Sequence, residues 1–350
     1  MATQTALALT EIAKPLTKIT IPILEPKEHE LLIKISYAGI TPLDQKLRDY
    51  NVFNIGSNLP AIIAFDLVGE VVKAGSKTSV FPIGSKVFSQ ALFGLANNLL
   101  GGLQEYTLID ERYTALVPKN ISEADAAIFP INTVTSAFAL FTGDGEHGGF
   151  GFPFPGTPES KTFDYKSITI VIIGGGTACG KFAIQFARIA GIGRVIVTAS
   201  LDSEAELRSY GATHVLDRKA SDLADQIKTF VGDDLVYLYD TFNRGDHTFG
   251  VSLLSTTKKG TLLHLIPGQV DEKVAAQKKA GFEERQLLGS STGHPDLAAL
   301  FWKVFPEWVE KGEVKVIRPY KVIEGLDADK VNAALDGHRD GVFDRWNVHI

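Results

Sequence analysis

Residues 168–180 read ITIVIIGGGTACG, and this stretch decides the fold of the region that follows it. The apolar run at 168–173 is typical of a strand buried on both faces of a parallel sheet. Gly174 ends the run, and residues 180–190 then place apolar side chains at helical spacing. A second apolar run follows at 194–198, so strand, glycine turn, helix and strand form one βαβ unit of about thirty residues.

The same alternation continues toward the C-terminus. It predicts helices near 203–210 and 222–231, and strands at 215–216, 235–239 and 261–266. Because parallel strands joined by helices are wound with right-handed crossovers, we expect a doubly wound parallel sheet.

The first third of the chain has a different character. Short apolar runs at 31–35, 67–72, 86–88 and 106–108 are separated by glycines, which predicts a compact β domain with few helices. Ser122 is typical of a helix N-cap, and the chain that follows predicts a linking helix over 126–141. Beyond 290 we expect helices at 297–308 and 328–335 and a strand at 314–316.

Residues 142–166 are rich in glycine, proline and phenylalanine. This composition predicts a long surface loop without regular structure. Phe150, Phe152, Phe154 and Phe163 argue against full solvent exposure of the loop. The first three of these side chains are candidates to line a lipophilic pocket.

Composition excludes several classes of protein. The 350 residues are 45% hydrophobic and 22% charged, as in packed globular chains, and the net charge of -6 gives no basic surface for nucleic acid or anionic membranes. Cys179 is the one cysteine, so an intrachain disulfide and an all-cysteine zinc site are excluded. Neither a leader-like segment nor a long apolar span is evident, so we expect a cytoplasmic protein.

The glycine turn is the first candidate binding site. Glycines between a strand and a helix let backbone N–H groups approach a pyrophosphate at the positive end of the helix. The alternative is a tight turn that only packs the helix on the sheet. The candidate cofactor-binding residues are Gly174, Gly175, Gly176, Thr177, Ala178, Cys179 and Gly180.

The second strand ends near Ser200, where an acid would bind the ribose hydroxyls of NAD. Ser200 and Ser203, together with Arg208, instead suit the 2′-phosphate of NADP. Asp202 leaves NAD open, and a solvated helix face is the alternative for Arg208.

Several segments together resemble the medium-chain dehydrogenase/reductase superfamily: residues 39–44, 65–72, 102–106 and 210–212, with the glycine turn. The chain is most similar to the zinc-independent branch of quinone oxidoreductases and of the enoyl reductases that act in trans with fungal polyketide synthases. The resemblance implies an α/β protein with a GroES-like β-barrel catalytic domain at 1–130, a Rossmann dinucleotide-binding domain at 131–292, and a segment at 293–350 that completes the first domain.

The resemblance also implies a site without zinc. Zinc alcohol dehydrogenases of the superfamily use a cysteine and a histidine where this chain has Thr41 and Phe65. The remaining histidines, among them His147, His214, His247, His264, His294 and His338, lack metal-binding spacing and are expected at separate surface or loop positions. His264 is the exception to examine, because it lies in a strand near the expected nicotinamide.

The implied catalytic candidates are Tyr50, Thr41, Lys46, Thr133 and Thr135. Loop packing, solvation and helix back-bonding are their alternative roles. Further cofactor contacts are implied for Tyr210, Leu265 and Ile266.

The resulting hypothesis is an NADPH-dependent, zinc-free reductase of an α,β-unsaturated carbonyl compound. Its substrate is a small lipophilic enone, a quinone or a polyketide-type chain, free or carried by a partner protein, and both a monomer and a homodimer stay open. A non-redox isomerase, a cyclase, or a protein that only binds the nucleotide is the alternative.

Overall fold

The computed structural model describes residues 2–92, 98–143, 145 and 147–350. Its strands are β1 (Thr3–Ala8), β2 (Thr17–Pro22), β3 (Glu30–Ile40), β4 (Asp66–Ala74), β5 (Lys86–Gln90), β6 (Tyr106–Asp110), β7 (Thr114–Leu116), β8 (Thr169–Ile173), β9 (Arg194–Ala199), β10 (His214–Asp217), β11 (Tyr237–Asp240), β12 (Gly245–Asp246), β13 (Gly260–His264), β14 (Gly268–Gln269), β15 (Phe282–Gln286), β16 (Lys321–Glu324) and β17 (Trp346–His349). Its helices are α1 (Pro42–Tyr50), α2 (Glu123–Ala126), α3 (Pro130–Phe141), α4 (Ala178–Ala190), α5 (Glu204–Tyr210), α6 (Leu223–Val231), α7 (Thr248–Leu253), α8 (Glu272–Ala276), α9 (Pro295–Glu310) and α10 (Ala328–Arg339).

The chain forms two compact units. The first unit contains residues 1–131, 290–312 and 316–350, and the second contains 132–289 and 313–315. None of the helices in the described ranges is long and apolar enough to cross a membrane.

The first unit is built on a largely antiparallel sheet. Its strands follow the order β16-β17-β3-β4-β5-β7, and β6 pairs with β3. Inward-facing side chains such as Ile33, Leu67 and Val348 are fully buried and form the core of this unit. Burial of this kind is the main contribution to its stability.

The second unit is a parallel sheet with strand order β10-β9-β8-β11-β13-β15. The order runs outward from β8 in both directions, so the topological switch point lies between β8 and β11. Val171, Leu238 and Leu262 are fully buried between this sheet and its helices. The expected α/β fold class, with a doubly wound sheet, is confirmed.

Residues 42–50 form helix α1, which was not predicted individually in a domain expected to have few helices. Two sequence-based expectations about other elements are wrong. The linking helix is two helices, because Pro130 lacks an N–H donor and begins α3 after α2 has ended. Residues 314–316 form no strand, since Lys315 N–H donates to the Oε1 atom of Gln185 instead of to a neighbouring strand (2.7 Å).

The 142–166 segment is irregular apart from single 3₁₀ turns at Glu159–Lys161 and Tyr165–Ser167. Asp144 and Glu146 lie outside the described residues. Phe150 and Phe152 pack edge-on against Tyr237, with ring centroids 5.2 and 4.8 Å away. Tyr237 begins β11, so these rings anchor the loop near the amino end of the strand. Cofactors and substrates of such sheets bind at the carboxyl ends, so the packing of Phe150 and Phe152 does not support the expectation that they line a pocket, which stays a prediction.

Candidate functional site

The glycine turn joins β8 to α4 at the topological switch point. Gly174 has φ +81°, a backbone conformation that glycine adopts without strain. Thr177 is the N-cap of α4, and its Oγ1 atom accepts the N–H of Gly180 (2.9 Å). The first N–H groups of a helix have no acceptor within the helix, so this end of α4 is suited to an anionic group.

Steric contacts explain three of the turn's glycines but not the fourth. A Cβ atom would lie 2.7 Å from Cβ of Phe242 at Gly174, 2.8 Å from Cβ of Val197 at Gly175, and 2.4 Å from the carbonyl oxygen of Gly174 at Gly180. A Cβ atom at Gly176 would have no described atom within 4 Å. The protein itself does not require glycine at 176, but a ligand lying over the turn would.

Thr241 holds the turn in place from the neighbouring strand. Its Oγ1 atom lies 2.8 Å from Oγ1 of Thr177 and 2.9 Å from the carbonyl oxygens of Ile173 and Gly174. Sequence reasoning missed this residue. Its position directly after β11 is the signal that could have identified it, because β11 and β8 end side by side.

Ala178 and Cys179 form the first turn of α4, and both are partly exposed. The Cys179 Sγ atom lies 3.5 Å from Oδ1 of Asn132, and its carbonyl accepts the Ser136 hydroxyl (2.8 Å). Burial, and secondarily the nearby thiol of Cys179, raise the pKa of Tyr239 well above its ordinary value. The Cys179 thiol therefore lies close to the phenol of Tyr239, which stays protonated.

At the carboxyl end of β9, the Ser200 hydroxyl donates to Oδ2 of Asp202 (3.0 Å), and Ser203 begins α5 as its N-cap. Arg218 and Lys219 lie next to this point. Asp217, the last residue of β10, pairs with Ala199, and Arg218 N–H donates to the carbonyl of Ala199 (2.9 Å). The side chains of Arg218 and Lys219 are both exposed there, and sequence reasoning missed them.

Arg208 and Tyr210 lie elsewhere. The Arg208 guanidinium donates to Glu204 (2.8 Å) and to the carbonyl of Thr213 (2.9 Å). The N–H of Thr213 in turn donates to the carbonyl of Val195, near the amino end of β9. The buried Tyr210 hydroxyl donates to Oε1 of Glu206 (2.9 Å). The structure thus does not bring these two side chains to the carboxyl edge with Ser200.

Leu265 and Ile266 follow β13 at the carboxyl edge and are partly exposed. Nearby, His247 and His264 stack with ring centroids 4.3 Å apart. The expectation that the histidines occupy separate surface or loop positions is wrong for this pair, because residues 17 positions apart in the chain meet where the loop after β11 crosses the end of β13. Burial lowers the pKa of His264 to about 4.

In the first unit, Thr41 is the N-cap of α1. Its N–H and hydroxyl groups donate to Oδ2 of Asp44 (2.7 and 2.9 Å), and Oδ1 of Asp44 accepts the N–H of Ala64 (2.7 Å). Burial raises the pKa of Asp44 above its ordinary value, although these three donors oppose the shift. The S/T-x-x-D/E pattern at 41–44 was the available sequence signal for this helix start.

Lys46 and Tyr50 occupy different ends of α1. The Lys46 Nζ atom lies 3.3 Å from the carbonyl of Pro42, so its ammonium group points back toward Thr41. Tyr50 is the last residue of the helix and is 62% exposed. The nine residues that separate it from Thr41 correspond to about 13 Å along the helix axis. The Lys46 ammonium group therefore lies at the same end of α1 as Thr41, whereas Tyr50 lies at the opposite end.

Thr133 and Thr135 lie on α3. Residues two positions apart on a helix project about 200° apart, so the two hydroxyls leave the helix in different directions. Thr133 is fully buried, and the Oγ1 atom of Thr135 lies against Gly289, where a Cβ atom would be 2.0 Å away.

Comparisons with known proteins agree with this architecture. Residues 27–119 match the alcohol dehydrogenase GroES-like domain, and residues 178–308 match the zinc-binding dehydrogenase family. The chain is 29% identical to trans-enoyl reductase himH of Aspergillus japonicus, over 89% of this chain and 87% of that protein. It is 30% identical to trans-enoyl reductase tazE of Aspergillus terreus, over 61% of this chain and 68% of that protein. The chain belongs to the medium-chain dehydrogenase/reductase superfamily. It is an oxidoreductase of the zinc-independent branch.

A solved structure of this superfamily has the same fold. The mycobacterial protein Rv1454c, determined in complex with NADPH, has a TM-score of 0.70 at 20% identity and covers 99% of this chain and 100% of that one. In this chain, buried Thr41 and Phe65 stand at the positions expected for the zinc ligands of the alcohol dehydrogenases. A phenyl ring has no metal-binding atom, which agrees with the zinc-independent branch.

Proposed function

We propose that this protein is an NADPH-dependent reductase that delivers hydride to the activated C=C bond of an α,β-unsaturated carbonyl compound. The open space over Gly176, one residue before the N-cap of α4, is the observation that carries the proposal. A dinucleotide pyrophosphate would be bound there by backbone N–H groups and by the helix dipole. When bound, the reduced nicotinamide supplies the hydride.

NADPH is proposed over NADH because of the groups around Ser200. The hydroxyls of Ser200 and Ser203 and the exposed cations Arg218 and Lys219 provide donors and positive charge for a 2′-phosphate. Asp202 is the opposing feature, since its carboxylate would repel the same group. The NADPH bound to the mycobacterial relative supports this choice.

Hydride addition to the β-carbon leaves an enolate, which needs positive charge or a hydrogen-bond donor and then a proton on the α-carbon. Lys46 is our candidate for enolate stabilisation, because its ammonium group carries charge at the start of α1. The Thr41 hydroxyl proton is directed at Asp44, so Thr41 becomes a donor to substrate only when Asp44 is protonated. Tyr50, Thr133 and Thr135 remain the other candidates for the proton donor.

The proposed substrate class is an enoyl or enone group on a lipophilic chain. Two relatives are named trans-enoyl reductases, which favours an enoyl thioester carried by a partner of the polyketide synthase type over a free enone. If a free enone or a quinone is reduced instead, the proposed substrate class is wrong but hydride transfer from NADPH still stands.

The test measures loss of reduced-nicotinamide absorbance with NADPH and three substrates: an enoyl pantetheine thioester, a free alkyl enone and a quinone. With NADPH deuterated at the transferred hydrogen, mass spectrometry of the saturated acyl product should find deuterium on the β-carbon. Cofactor that binds but is not oxidised by any of the three would contradict a reductase and favour the non-redox alternative.

A paired substitution tests the cofactor site. Gly176→Leu should abolish NADPH binding while the melting temperature stays unchanged, because the added side chain meets only the space assigned to the cofactor. Gly143→Leu is the matched control, since a Cβ atom there also has no described neighbour within 4 Å. Retained NADPH affinity in Gly176→Leu would remove the turn from the binding site.

A further inference from the structure

A buried pair of imidazoles in the second unit plays no part in the proposed hydride transfer. His247 precedes α7 and is fully buried, and His264 ends β13 with 5% of its surface exposed. Their rings stack with planes 25° apart. Burying two such polar side chains is costly unless their nitrogens have partners.

The hydrogen bonds of His247 determine which of its nitrogens is available. Its Nε2 atom lies 2.9 Å from the carbonyl oxygen of Ile266. A carbonyl only accepts hydrogen bonds, so Nε2 carries the proton and a neutral ring presents a lone pair at Nδ1. This Nδ1 atom is buried and has no hydrogen-bond partner among the described residues.

His264 has a similar unsatisfied atom and lies near a carboxylate. Its Nδ1 atom is also buried without a hydrogen-bond partner in the described part of the chain. Its Nε2 atom lies 3.3 Å from Oε1 of Glu284, whose side chain is 27% exposed. Asp240 lies on the other side of the pair, with its Oδ2 atom 3.6 Å from Nδ1 of His247.

We propose that His247, His264 and Glu284 bind one divalent transition-metal ion, with Zn²⁺ the ion best suited to the donors. Each side chain offers one ligand atom, and these atoms lie within 4.8 Å of one another. Ligand atoms of one tetrahedral zinc ion are about 3.3 Å apart. Side-chain movements that bring the three ligand atoms about 1.5 Å closer together would therefore complete the site. Two imidazoles and one carboxylate are a donor set that zinc accepts, with a fourth position for water.

The surroundings fit a metal site in two further ways. The bond from Nε2 of His247 to the Ile266 carbonyl is the outer contact that metal-binding histidines almost always make. The carboxylates of Glu284 and Asp240 would balance the two positive charges of the ion. The partial exposure of Glu284 gives the ion and a bound water a route from solvent.

Such an ion would join three segments at the carboxyl edge of the sheet: the loop after β11, the end of β13 and strand β15. Asp240 directly precedes Thr241, which holds the glycine turn. Metal binding would therefore stabilise the loops that surround the proposed cofactor without taking part in the reaction. This role is separate from the catalytic zinc of related alcohol dehydrogenases, whose positions are filled by Thr41 and Phe65.

The rival explanation is an imidazolium form of His247 paired with Asp240, which needs no metal. Titration of chelator-treated protein with ZnCl₂, followed by calorimetry and elemental analysis, distinguishes the two. We expect one tightly bound zinc ion per chain and a higher melting temperature. Cobalt(II) should give the visible absorption of a site with imidazole ligands. Absence of both signals would overturn the proposal in favour of the ion pair.

Variants identify the ligands. His247→Ala and His264→Ala should each lose the zinc equivalent. Glu284→Gln keeps the side-chain shape but removes a charged ligand, so it should weaken zinc binding by at least the roughly 10- to 100-fold that loss of an outer contact costs. His214→Ala is the matched control, because the His214 ring packs against Phe230, tilted by 45°, in the same unit away from this cluster. If the alanine variants fail to fold, Glu284→Gln and the cobalt spectrum of the unsubstituted protein still decide the question. Zinc affinity unchanged in Glu284→Gln would exclude this set of ligands.

Discussion

The hydroxyl oxygens of Thr177 and Thr241 lie 2.8 Å apart and connect the glycine turn after β8 to the end of β11. These strands are neighbours in the sheet but are about seventy residues apart in sequence. Thr177 also caps α4, so this contact links the start of the helix to the adjacent strand. The turn is thereby held in one conformation before any ligand arrives, which lowers the ordering cost of binding.

Replacing Thr241 with valine should weaken NADPH binding more than it disturbs the fold. Valine keeps the branched shape but loses the bonds to Thr177, Ile173 and Gly174, at a cost of about 1 kcal/mol in stability. If a similar amount is lost on binding, the Kd for NADPH rises roughly fivefold. Fluorescence titration and thermal unfolding would measure the two effects. Thr229→Val, at an exposed position on α6, is the control and should change neither.

The contact between Thr177 and Thr241 shows the limit of reading the sequence. The apolar run before Gly174 and the helical spacing after it predicted β8, α4 and the turn, because these elements depend on local patterns. The partner of Thr177 depends on β11 lying beside β8, and strand order is not encoded locally. The stacking of His247 on His264 was missed for the same reason. Helix α1 differs, because its capping residues Thr41 and Asp44 form a local pattern from which the helix could have been predicted.

Arg218 and Arg208 should affect cofactor choice differently. Arg218 lies at the carboxyl end of β10 beside Ala199, whereas Arg208 is held by Glu204 and Thr213 toward the amino end. Arg218→Ala should raise the Kd for NADPH about tenfold or more, since charged hydrogen bonds contribute about 1.5–3 kcal/mol, and should leave the Kd for NADH nearly unchanged. Arg208→Ala should leave both unchanged. The reverse pattern would assign the 2′-phosphate to Arg208, as the sequence alone predicts.

Their positions in the sequence did not distinguish these two arginines. Arg208 lies in a predicted helix that follows the second strand, and its sequence position suits the phosphate as well as that of Arg218 does. The difference arises from the side-chain hydrogen bonds of Arg208, which turn its guanidinium away from Ser200. Such bonds depend on where Glu204 and the Thr213 carbonyl lie once the strands have paired.

Cys179 should be protected from alkylation by the cofactor. The thiol is partly exposed in the first turn of α4, next to the proposed pyrophosphate site. Because the thiol is partly exposed, iodoacetamide should modify it in the free protein. Saturating NADPH should slow the reaction about tenfold or more, and NADPH should fail to protect Gly176→Leu. Mass spectrometry of the intact chain gives the rate, and equal rates with and without NADPH in the unsubstituted protein would contradict the site.

Replacing Asp66 with asparagine should change how stability depends on pH. Asp66 is buried, its Oδ1 atom accepts the N–H of Ile131, and burial, with a smaller contribution from Asp44, raises its pKa well above the ordinary value. The folded protein therefore binds this proton more tightly than the unfolded chain does. The stability that the protonated group contributes is fully present below about pH 4 and is lost as pH rises through the folded pKa.

Asparagine keeps the acceptor for Ile131 but has no proton to lose. The stability of Asp66→Asn relative to the unsubstituted protein should therefore be constant below about pH 4 and should increase steadily toward neutral pH. Melting temperatures measured in steps from pH 4 to pH 8 would reveal this trend. Asp340→Asn is the control, because that side chain is 62% exposed at the end of α10. A relative stability that is flat across the range would mean that the protonation of Asp66 is not linked to folding.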